Sequence, residues 1–186
     1  MSESASHLIG GEGRSSAAAA EETFTFDGRE VLLRPARAED RARHEEFHAR
    51  VEPHDLRLRF FGAVRELPQS VLERLVQMDH HRAMAFVAIG QTASGMLETL
   101  AVAQMHAEPN NEAAELGLLV RSDLKGRGLG TVLLEKLIRY CRSSGIHRLN
   151  ADVLADNTRM LRLARRHGFR FVAAGQGTVR IVLDLH

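Results

Sequence analysis

Hydrophobic residues change their spacing several times along the chain, and each change predicts a new element. Unbroken or alternating apolar patterns predict strands at about 24–34, 83–90, 96–106, 116–120, 147–153, 169–172 and 178–185. A turn at Asp27-Gly28 interrupts the first of them. Helical spacing predicts helices at about 39–51, at 56–62 and from 68 toward 78, and two more helices end at Gly145 and Gly168. Short links between the strands from 83 to 120 indicate an antiparallel meander.

The first 22 residues follow neither pattern. They are rich in Ser, Gly and Ala and have no apolar face to bury, which is typical of a disordered tail or linker. We therefore expect a disordered tail over 1–22 and one folded domain over 23–186. The N-terminus contains no apolar signal segment, so the sequence predicts a cytoplasmic protein.

Composition and charge narrow the possible classes of protein. The 186 residues suit one domain, 44% are hydrophobic, and no apolar run approaches the ~20 residues that span a membrane. A net charge of +1 gives no reason to expect a nucleic-acid partner. The single cysteine, Cys141, lies on the apolar face of a predicted helix, where we expect a buried hydrophobic residue rather than a nucleophile.

One motif suggests a metal. His44-Glu45-Glu46-Phe47-His48 matches the His-Glu-x-x-His pattern of zinc proteases, in which two histidines share a helix face. No third protein ligand follows at the expected spacing, and Arg41, Arg43 and Arg50 disfavour a bound cation. We predict a solvated, charged helix face without metal, and a metal hydrolase that uses the two histidines is the alternative.

The segment 124–130, Leu-Lys-Gly-Arg-Gly-Leu-Gly, lies between a predicted strand and a predicted helix. This order presents free backbone N–H groups and the positive end of a helix dipole to an anion. Lys125 and Arg127 add positive charge, so we expect a phosphate or pyrophosphate. The spacing fits neither the P-loop, Gly-x-x-x-x-Gly-Lys-Ser/Thr, nor the dinucleotide fingerprint, Gly-x-Gly-x-x-Gly. A purely structural glycine turn is the alternative.

The loop does resemble the acyl-coenzyme-A loop of the GNAT superfamily of N-acetyltransferases, Arg/Gln-x-x-Gly-x-Gly/Ala. Lys125 takes the first position, a mild departure, and Gly128 and Gly130 take the glycine positions. The predicted order of elements over about 24–186 is also the GNAT order. The resemblance implies an α/β fold of the α+β type, in which helices flank a mixed, mostly antiparallel sheet. It also implies acetyl-CoA as cosubstrate and no metal.

The same resemblance implies a set of coenzyme-binding residues. In the GNAT pattern, backbone groups near Leu119 and Val120 hold the pantetheine and polarise the thioester carbonyl. Asn157 matches a family Asn that contacts the coenzyme, although a helix N-cap is an equally good explanation. The predicted cofactor-binding residues are Leu118, Leu119, Val120, Lys125, Gly126, Arg127, Gly128, Leu129, Gly130, Thr131 and Asn157.

Five segments are similar to one branch of that superfamily, the catalytic domain of bacterial protein lysine acetyltransferases that modify AMP-forming acyl-CoA synthetases. They are 58–61, 65–67, 114–115, 126–130 and 153–160. The similarity implies a protein lysine as the acceptor. Those enzymes often carry a fused regulatory domain that these residues lack, so we expect that regulation is absent, that a partner supplies it, or that the chain is a fragment.

Acetyl transfer needs a neutral amine, and a carboxylate can take the amine proton directly or through a water. Glu115 is the predicted general base, because it lies on the strand before the glycine loop and matches the catalytic Glu of the protein-acetylating branch. The alternative is a solvent-facing strand carboxylate, and Glu98 and Glu108 are weaker substitutes. Many GNAT enzymes have a Tyr acid seven residues after the Asn, where this chain has Ala164. Tyr140 is predicted at the surface, so water is expected to protonate the thiolate.

Two other functions fit the same fold, a GNAT acetyltransferase of a small-molecule amine and a non-catalytic acyl-CoA sensor. The only lysines are Lys125 and Lys136, so the chain is a poor substrate for itself. This agrees with an acceptor lysine on another protein. The expected partners are therefore acetyl-CoA and a protein such as an acyl-CoA synthetase, with no nucleic acid and no membrane.

Overall fold

The computed structural model describes residues 17–61, 82–175 and 177–185, and they contain one mixed sheet. Its strands are β1 (Glu22–Phe26), β2 (Arg29–Pro35), β3 (Ala83–Gln91), β4 (Leu97–Ala107), β5 (Ala113–Val120), β6 (Arg148–Leu154), β7 (Arg170–Ala174) and β8 (Thr178–Asp184). They lie in the order β1-β2-β3-β4-β5-β6-β8-β7. The helix predicted from 68 toward 78 lies outside the described residues.

The strand predicted over 24–34 forms a hairpin, and its turn lies at Asp27 and Gly28 as expected. Asp27 and Gly28 have φ angles of 51° and 75°, the left-handed pair that a tight two-residue hairpin turn requires. β1 and β2 therefore pair antiparallel, from Glu22↔Leu33 to Phe26↔Arg29. Because β1 begins at Glu22, the predicted domain boundary at residue 23 falls inside this strand.

One pair of neighbouring strands is parallel, and it is short. β5 pairs with β6 only through Ala113↔Arg148, Ala114↔Leu149 and Glu115↔Asn150, whereas the other neighbours pair antiparallel. Both strands continue well beyond these pairs. They therefore separate and open a gap in the sheet at their carboxyl ends, where open sheets commonly bind ligands.

Helices cover both faces of the sheet and build two apolar cores. They are α1 (Arg41–Ala49), α2 (Pro53–Phe60), α3 (Leu129–Ser143) and α4 (Thr158–Arg166). The larger core packs α3 and α4 on one face, with Leu133, Leu134 and Leu137 fully buried. The smaller core packs Phe47 of α1 and Leu56 of α2 on the other face. None of the helices in the described ranges is long and apolar enough to cross a lipid bilayer.

A buried lysine anchors the stretch that precedes β1. Lys136 of α3 is fully buried, and its Nζ donates to the Ala20 carbonyl oxygen at 2.7 Å and to Glu22 Oε1 at 2.6 Å. The ammonium also lies 5.3 Å from the centre of the Phe86 ring. These contacts compensate for the burial of the charge. They also keep this lysine away from any acetyl donor in solution.

A buried carboxylate organises the start of α1. Both oxygens of Asp40 accept a hydrogen bond from Arg34 at 2.7 Å, the Arg37 N–H donates to Oδ2 at 2.8 Å, and Arg43 donates to Oδ1. Burial alone would raise the pKa of Asp40, but these hydrogen bonds and the charge of Arg34 hold it well below its ordinary value. Asp40 is therefore ionised in the folded protein at neutral pH.

We predict that Asp40→Asn lowers the free energy of unfolding at pH 7 by about 3 kcal/mol, because Arg34 and Arg43 lose their buried counter-charge. The folded pKa of Asp40 is depressed, so its stabilisation is complete above the unfolded value of about 4 and is lost as the pH falls below it. The difference from wild type should therefore shrink between pH 7 and pH 3 in urea unfolding.

The control is Glu39→Gln, which removes an exposed carboxylate next to Asp40 and should change the free energy of unfolding by less than about 0.5 kcal/mol. An Asp40→Asn protein as stable as the Glu39→Gln protein at pH 7 would contradict the prediction.

Candidate active site

The gap between β5 and β6 leaves part of the β5 backbone available to a ligand. Beyond Glu115, β5 keeps its ladder to β4 as far as Val120, whereas its other edge has no partner strand among the residues described. Such an edge pairs with an extended ligand as it would with another strand. The side chains of Leu118, Leu119 and Val120 pack against the two cores, so their backbone is the part that a ligand would meet.

The glycine loop lies at the end of this gap. The 3₁₀ turn Ser122–Leu124 leads into it from β5, and α3 begins at Leu129. Gly126 and Gly128 have φ angles of 76° and 102°, which L side chains rarely adopt, and a Cβ at either would meet no atom within 4 Å. The loop backbone therefore turns beside open space.

The start of α3 fits an anion. Thr131 and Val132 donate to the Gly128 carbonyl oxygen at 3.0 and 3.2 Å, whereas the first amides of a helix, here those of Leu129 and Gly130, have no acceptor within the helix. These amides and the helix dipole suit a pyrophosphate. Gly130 differs from the other loop glycines, because its φ is not left-handed and a Cβ there would make ordinary contacts.

Both basic residues of the loop are already paired with carboxylates. Lys125 forms an ion pair with Asp55 of α2. Arg127 Nη2 lies 2.5 Å from Asp27 Oδ2 in the β1–β2 turn, and its guanidinium lies 5.4 Å from the centre of the Phe26 ring. The positive charge expected from these two side chains is therefore partly neutralised, and the anion site depends mainly on the backbone of the loop.

Asp55 also fastens α2 to the turn before the loop. Ser122 Oγ donates to Asp55 Oδ2 at 2.5 Å, and the Glu52 N–H donates to Ser122 Oγ at 2.8 Å. Burial would raise the pKa of Asp55, but the hydrogen bonds from Lys125 and Ser122 lower it below its ordinary value. Sequence analysis missed this contact because Asp55 and Ser122 are 67 positions apart.

Glu115 lies where β5 and β6 separate. It is exposed, and its register partners are His106 of β4 and Asn150 of β6. By strand alternation its side chain shares a face with Gly117 and Leu119, and Leu119 belongs to the core under α1 and α2. The predicted base therefore stands beside the gap, on the face covered by α1 and α2, in contact with solvent.

Arg59 of α2 lies over the same part of β5. A Cβ at Gly117 would lie only 2.0 Å from Arg59 Nη2. A cavity of about 20 Å³ adjoins the guanidinium, and its walls are mainly apolar with His48 and Gln104 as polar members. Such a volume holds one water molecule. Burial lowers the pKa of Arg59, and the negative charge of Glu115 opposes this shift. Sequence analysis did not include Arg59 in the site.

The two weaker candidates for the base are less well located. Glu98 Oε2 accepts hydrogen bonds from Arg50 at 2.5 Å and from Arg121 at 2.6 Å, so its charge is committed to ion pairs. Glu108 is exposed in the turn between β4 and β5, where its N–H donates to the Ala113 carbonyl oxygen at 2.8 Å. Of the three predicted carboxylates, Glu115 is the one beside the gap.

Asn157 begins α4 as its N-cap. Its Oδ1 accepts a hydrogen bond from the Met160 N–H at 3.2 Å, which satisfies one of the free amides at the helix start. The N-cap explanation is therefore correct. Contact between Asn157 and the coenzyme stays a prediction.

Two side chains of α3 are fully enclosed. Tyr140 is 4% exposed and packs edge-on against Phe86, with ring centres 5.6 Å apart, so the prediction of a surface tyrosine was wrong. Cys141 is fully buried, and burial raises the pKa of its thiol to about 12, which confirms its hydrophobic role. Ala164, at the position of the family tyrosine, is also fully buried.

The prediction of a solvated face on α1 was wrong for its two histidines. His44 is fully buried and His48 is half-buried, and burial lowers the pKa of both, that of His48 to about 4. Both imidazoles are therefore neutral at pH 7. The described parts of the chain contain no group of three side chains that could hold a metal ion.

A sheet that opens between two parallel strands, a glycine loop at a helix start and a carboxylate beside the gap are together typical of enzymes that transfer acyl groups from coenzyme A to amines. The family model described as Acetyltransferase (GNAT) family matches residues 52–169, and the chain belongs to this family. It is an N-acetyltransferase that uses acetyl-CoA. The predicted GNAT fold is confirmed.

Two similar sequences belong to bacterial acetyltransferases. The chain is 34% identical to Acetyltransferase PA5475 of Pseudomonas aeruginosa over 143 residues. These residues cover 77% of this chain and 76% of that protein. It is 31% identical to Acetyltransferase Pat of Mycolicibacterium smegmatis over 128 residues. These residues cover 68% of this chain and 38% of Pat. The similarity to Pat supports the predicted branch of the family.

Solved structures agree with this assignment. The GNAT domain of S. lividans PAT is 26% identical, with a TM-score of 0.79 over 89% of this chain and 97% of that domain. The cAMP-binding acyltransferase from Mycobacterium smegmatis is 27% identical, with a TM-score of 0.61 over 95% of this chain and 50% of that one.

We predict that Gly128→Ala weakens acetyl-CoA binding by roughly tenfold or more, because the new Cβ strains the backbone at this φ and crowds the open side of the loop. Calorimetric titration measures the affinity, and thermal unfolding measures the stability. Gly145→Ala is the matched control, since Gly145 has a φ of 74° and open space around it at the other end of α3.

The control should lose similar stability but keep its affinity for acetyl-CoA. If Gly128→Ala and wild type bind acetyl-CoA equally well, the loop backbone does not hold the coenzyme.

Proposed function

We propose that this enzyme transfers the acetyl group of acetyl-CoA to the side-chain amine of a lysine on another protein, with Glu115 as the general base. The observation that carries the proposal is the position of Glu115. Its carboxylate is exposed at the point where β5 and β6 separate, beside the backbone edge of Leu118, Leu119 and Val120. An acetyl thioester bound along that edge would lie within reach of an amine that Glu115 deprotonates.

The chemistry requires a base, and we assign this role to Glu115. With an ordinary pKa of about 10.4, only about one lysine in 2,500 is neutral at pH 7, a deficit of about 4.6 kcal/mol. Glu115 accepts the amine proton directly or through a water. The nitrogen then bonds to the thioester carbonyl carbon, and backbone N–H groups near Leu119 and Val120 stabilise the negative charge on its oxygen. The nitrogen then loses its second proton to water, the carbon–sulfur bond breaks, and coenzyme A leaves as a thiolate.

The thiolate needs no side chain to protonate it. The family tyrosine position holds the buried Ala164, and Tyr140 is enclosed in the core. A thiol pKa of about 8.5 makes the thiolate an adequate leaving group, so water can return the proton. The products are an N-acetyllysine and the free thiol of coenzyme A.

A protein acceptor suits the surface beside Glu115. On the same sheet face, β6, β8 and β7 present an exposed polar surface in which Asp152 and Asp184 are paired with the residues Arg148, Arg170 and Arg180. The neighbouring cavity holds about one water, which is too small for a second substrate. Among the described residues, an exposed polar surface therefore adjoins the base, and another protein can cover it.

The acceptor lysine comes from outside this chain. Lys136 is fully buried against Glu22 and Ala20, and Lys125 is paired with Asp55. An AMP-forming acyl-CoA synthetase is the proposed partner, supported by the similarity to bacterial protein lysine acetyltransferases. The similarity to Acetyltransferase Pat over 128 residues supports a protein as the acceptor, without naming that protein.

We predict that Glu115→Gln lowers kcat by about 10² to 10⁴ with little change in acetyl-CoA affinity, because glutamine keeps the size but cannot accept a proton. Steady-state kinetics and calorimetry measure the two quantities. Glu108→Gln, in the neighbouring turn, is the control and should turn over at nearly the wild-type rate. Near-wild-type turnover by Glu115→Gln would remove Glu115 from the mechanism.

We predict that a mixture of acyl-CoA synthetases, polyamines and aminoglycosides, incubated with the enzyme and acetyl-CoA, yields acetyllysine in a synthetase and lowers the activity of that synthetase. Peptide mass spectrometry identifies the modified residue, and the Glu115→Gln enzyme is the control for uncatalysed acetylation. Efficient acetylation of a small amine, without acetylation of any protein, would contradict the proposed acceptor and favour a small-molecule acetyltransferase.

A further inference from the structure

Arginine makes up almost half of helix α4. Four of its nine residues are Arg159, Arg162, Arg165 and Arg166, and all four are exposed. A spacing of three and four positions places Arg159, Arg162 and Arg166 along one face of the helix, and we call these three residues the arginine stripe. Arg165 lies on another side, since its guanidinium is 5.0 Å from the centre of the Phe171 ring in β7.

The arginine stripe has no carboxylate partner. The carboxylates of the elements next to α4 have other partners, namely Asp156 with Arg57, Asp152 with Arg180, and Glu135 with His167. Within the described part of the chain, none of the three arginines of the stripe forms an ion pair. Their positive charge is therefore available to a ligand.

The arginine stripe is unfavourable for the free protein. Arg162 is three positions from Arg159 and four from Arg166, so like charges are neighbours on the helix surface and repel each other. Arg159 is also the second residue of α4, at the positive end of the helix dipole, and the first turn contains no acidic residue. A bound anion would relieve both effects.

The stripe lies next to the glycine loop. A Cβ at Gly130, in the first turn of α3, would lie 3.6 Å from Leu163 Cδ2 of α4. Arg159 and Arg166 lie one helical turn before and one turn after Leu163, and Arg162 precedes it directly. The arginine stripe therefore borders the helix start that suits a pyrophosphate.

Coenzyme A carries more negative charge than the glycine loop can compensate. Besides its pyrophosphate, it has a phosphate monoester on the ribose 3′ oxygen, and such a group has a charge of about −1.5 to −2 at pH 7. The basic side chains of the loop are already paired, Lys125 with Asp55 and Arg127 with Asp27. The stripe supplies unpaired guanidinium groups beside the loop, and guanidinium binds phosphate through two parallel hydrogen bonds.

We propose that the arginine stripe binds the 3′-phosphate of coenzyme A and makes the enzyme selective for coenzyme A over dephospho-coenzyme A, which lacks only that phosphate. The inference rests on the pyrophosphate binding at the glycine loop. It is independent of the proposed acceptor and of Glu115, because it concerns the coenzyme alone.

Calorimetric titration with the two ligands tests the proposal. The wild type should bind coenzyme A at least about tenfold more tightly than dephospho-coenzyme A. A triple variant with Arg159→Gln, Arg162→Gln and Arg166→Gln should lose this preference, since its affinity for coenzyme A falls while its affinity for dephospho-coenzyme A changes by less than about twofold. Arg165→Gln is the matched control from the same helix and should keep the preference.

Thermal unfolding separates ligand binding from a structural role. Without ligand, the triple variant should be at least as stable as the wild type, because the repelling charges are gone. Saturating coenzyme A should raise its unfolding temperature less than that of the wild type. A triple variant that is clearly less stable without ligand would contradict the account of the stripe as unfavourable for the free protein.

Arg162→Lys tests the geometry of the contact. Lysine keeps the charge but loses the planar pair of donors. Its affinity for coenzyme A should therefore lie between those of the wild type and of Arg162→Gln. An Arg162→Lys affinity no better than that of Arg162→Gln would contradict a contribution from charge.

Three results would overturn the proposal. The first is equal affinity of the wild type for coenzyme A and dephospho-coenzyme A. The second is a preference for coenzyme A that survives the triple substitution, because the 3′-phosphate would then bind elsewhere. The third is an equal loss of affinity for both ligands, because the arginines would then act on the pyrophosphate. These titrations need no acceptor, so their outcome leaves the proposed transfer to lysine untouched.

Discussion

The proposed active site depends on the parallel pairing between β5 and β6, which stops after three residue pairs. Each strand keeps a full antiparallel partner on its outer edge, β4 for β5 and β8 for β6, so the sheet remains continuous while its centre opens. The inner edge of β5 beyond Glu115 then carries backbone groups that need a hydrogen-bond partner. The glycine loop and the start of α3 lie at the end of that edge. One topological feature thus brings together a carboxylate, a strand edge that suits a thioester arm, and amides that suit a pyrophosphate.

Helix α2 links the coenzyme side of this site to the acceptor side. At its first turn, Asp55 holds Ser122 and Lys125, which precede the glycines of the loop. At its last turn, Arg59 lies over Gly117 beside the predicted base. Because a helix is rigid over two turns, a shift at one end moves the other. The position of α2 therefore affects both the glycine loop, which is predicted to bind the coenzyme, and the part of β5 next to Glu115.

Sequence patterns predicted the parts of this structure that are local. The strands and the glycine loop follow from apolar periodicity and from the conformational freedom of glycine, which neighbouring residues alone determine. The errors concern burial and partners that are distant in sequence. Tyr140, predicted at the surface, is enclosed by Phe86 of β3. The burial of Lys136 had no local signal, because its partner Glu22 lies 114 positions away. The contact between Arg59 and Gly117 had no local signal either, since a glycine that makes space is indistinguishable in sequence from one that makes a turn.

Hydrogen–deuterium exchange with and without acetyl-CoA tests the central claim most directly, because it detects which backbone amides the coenzyme covers. Binding in the gap predicts slower exchange at 118–120 and at 128–131, with unchanged exchange in β7 on the far edge of the sheet. Bound acetyl-CoA that leaves both segments unprotected, or that protects only another face of the protein, would contradict the location of the site.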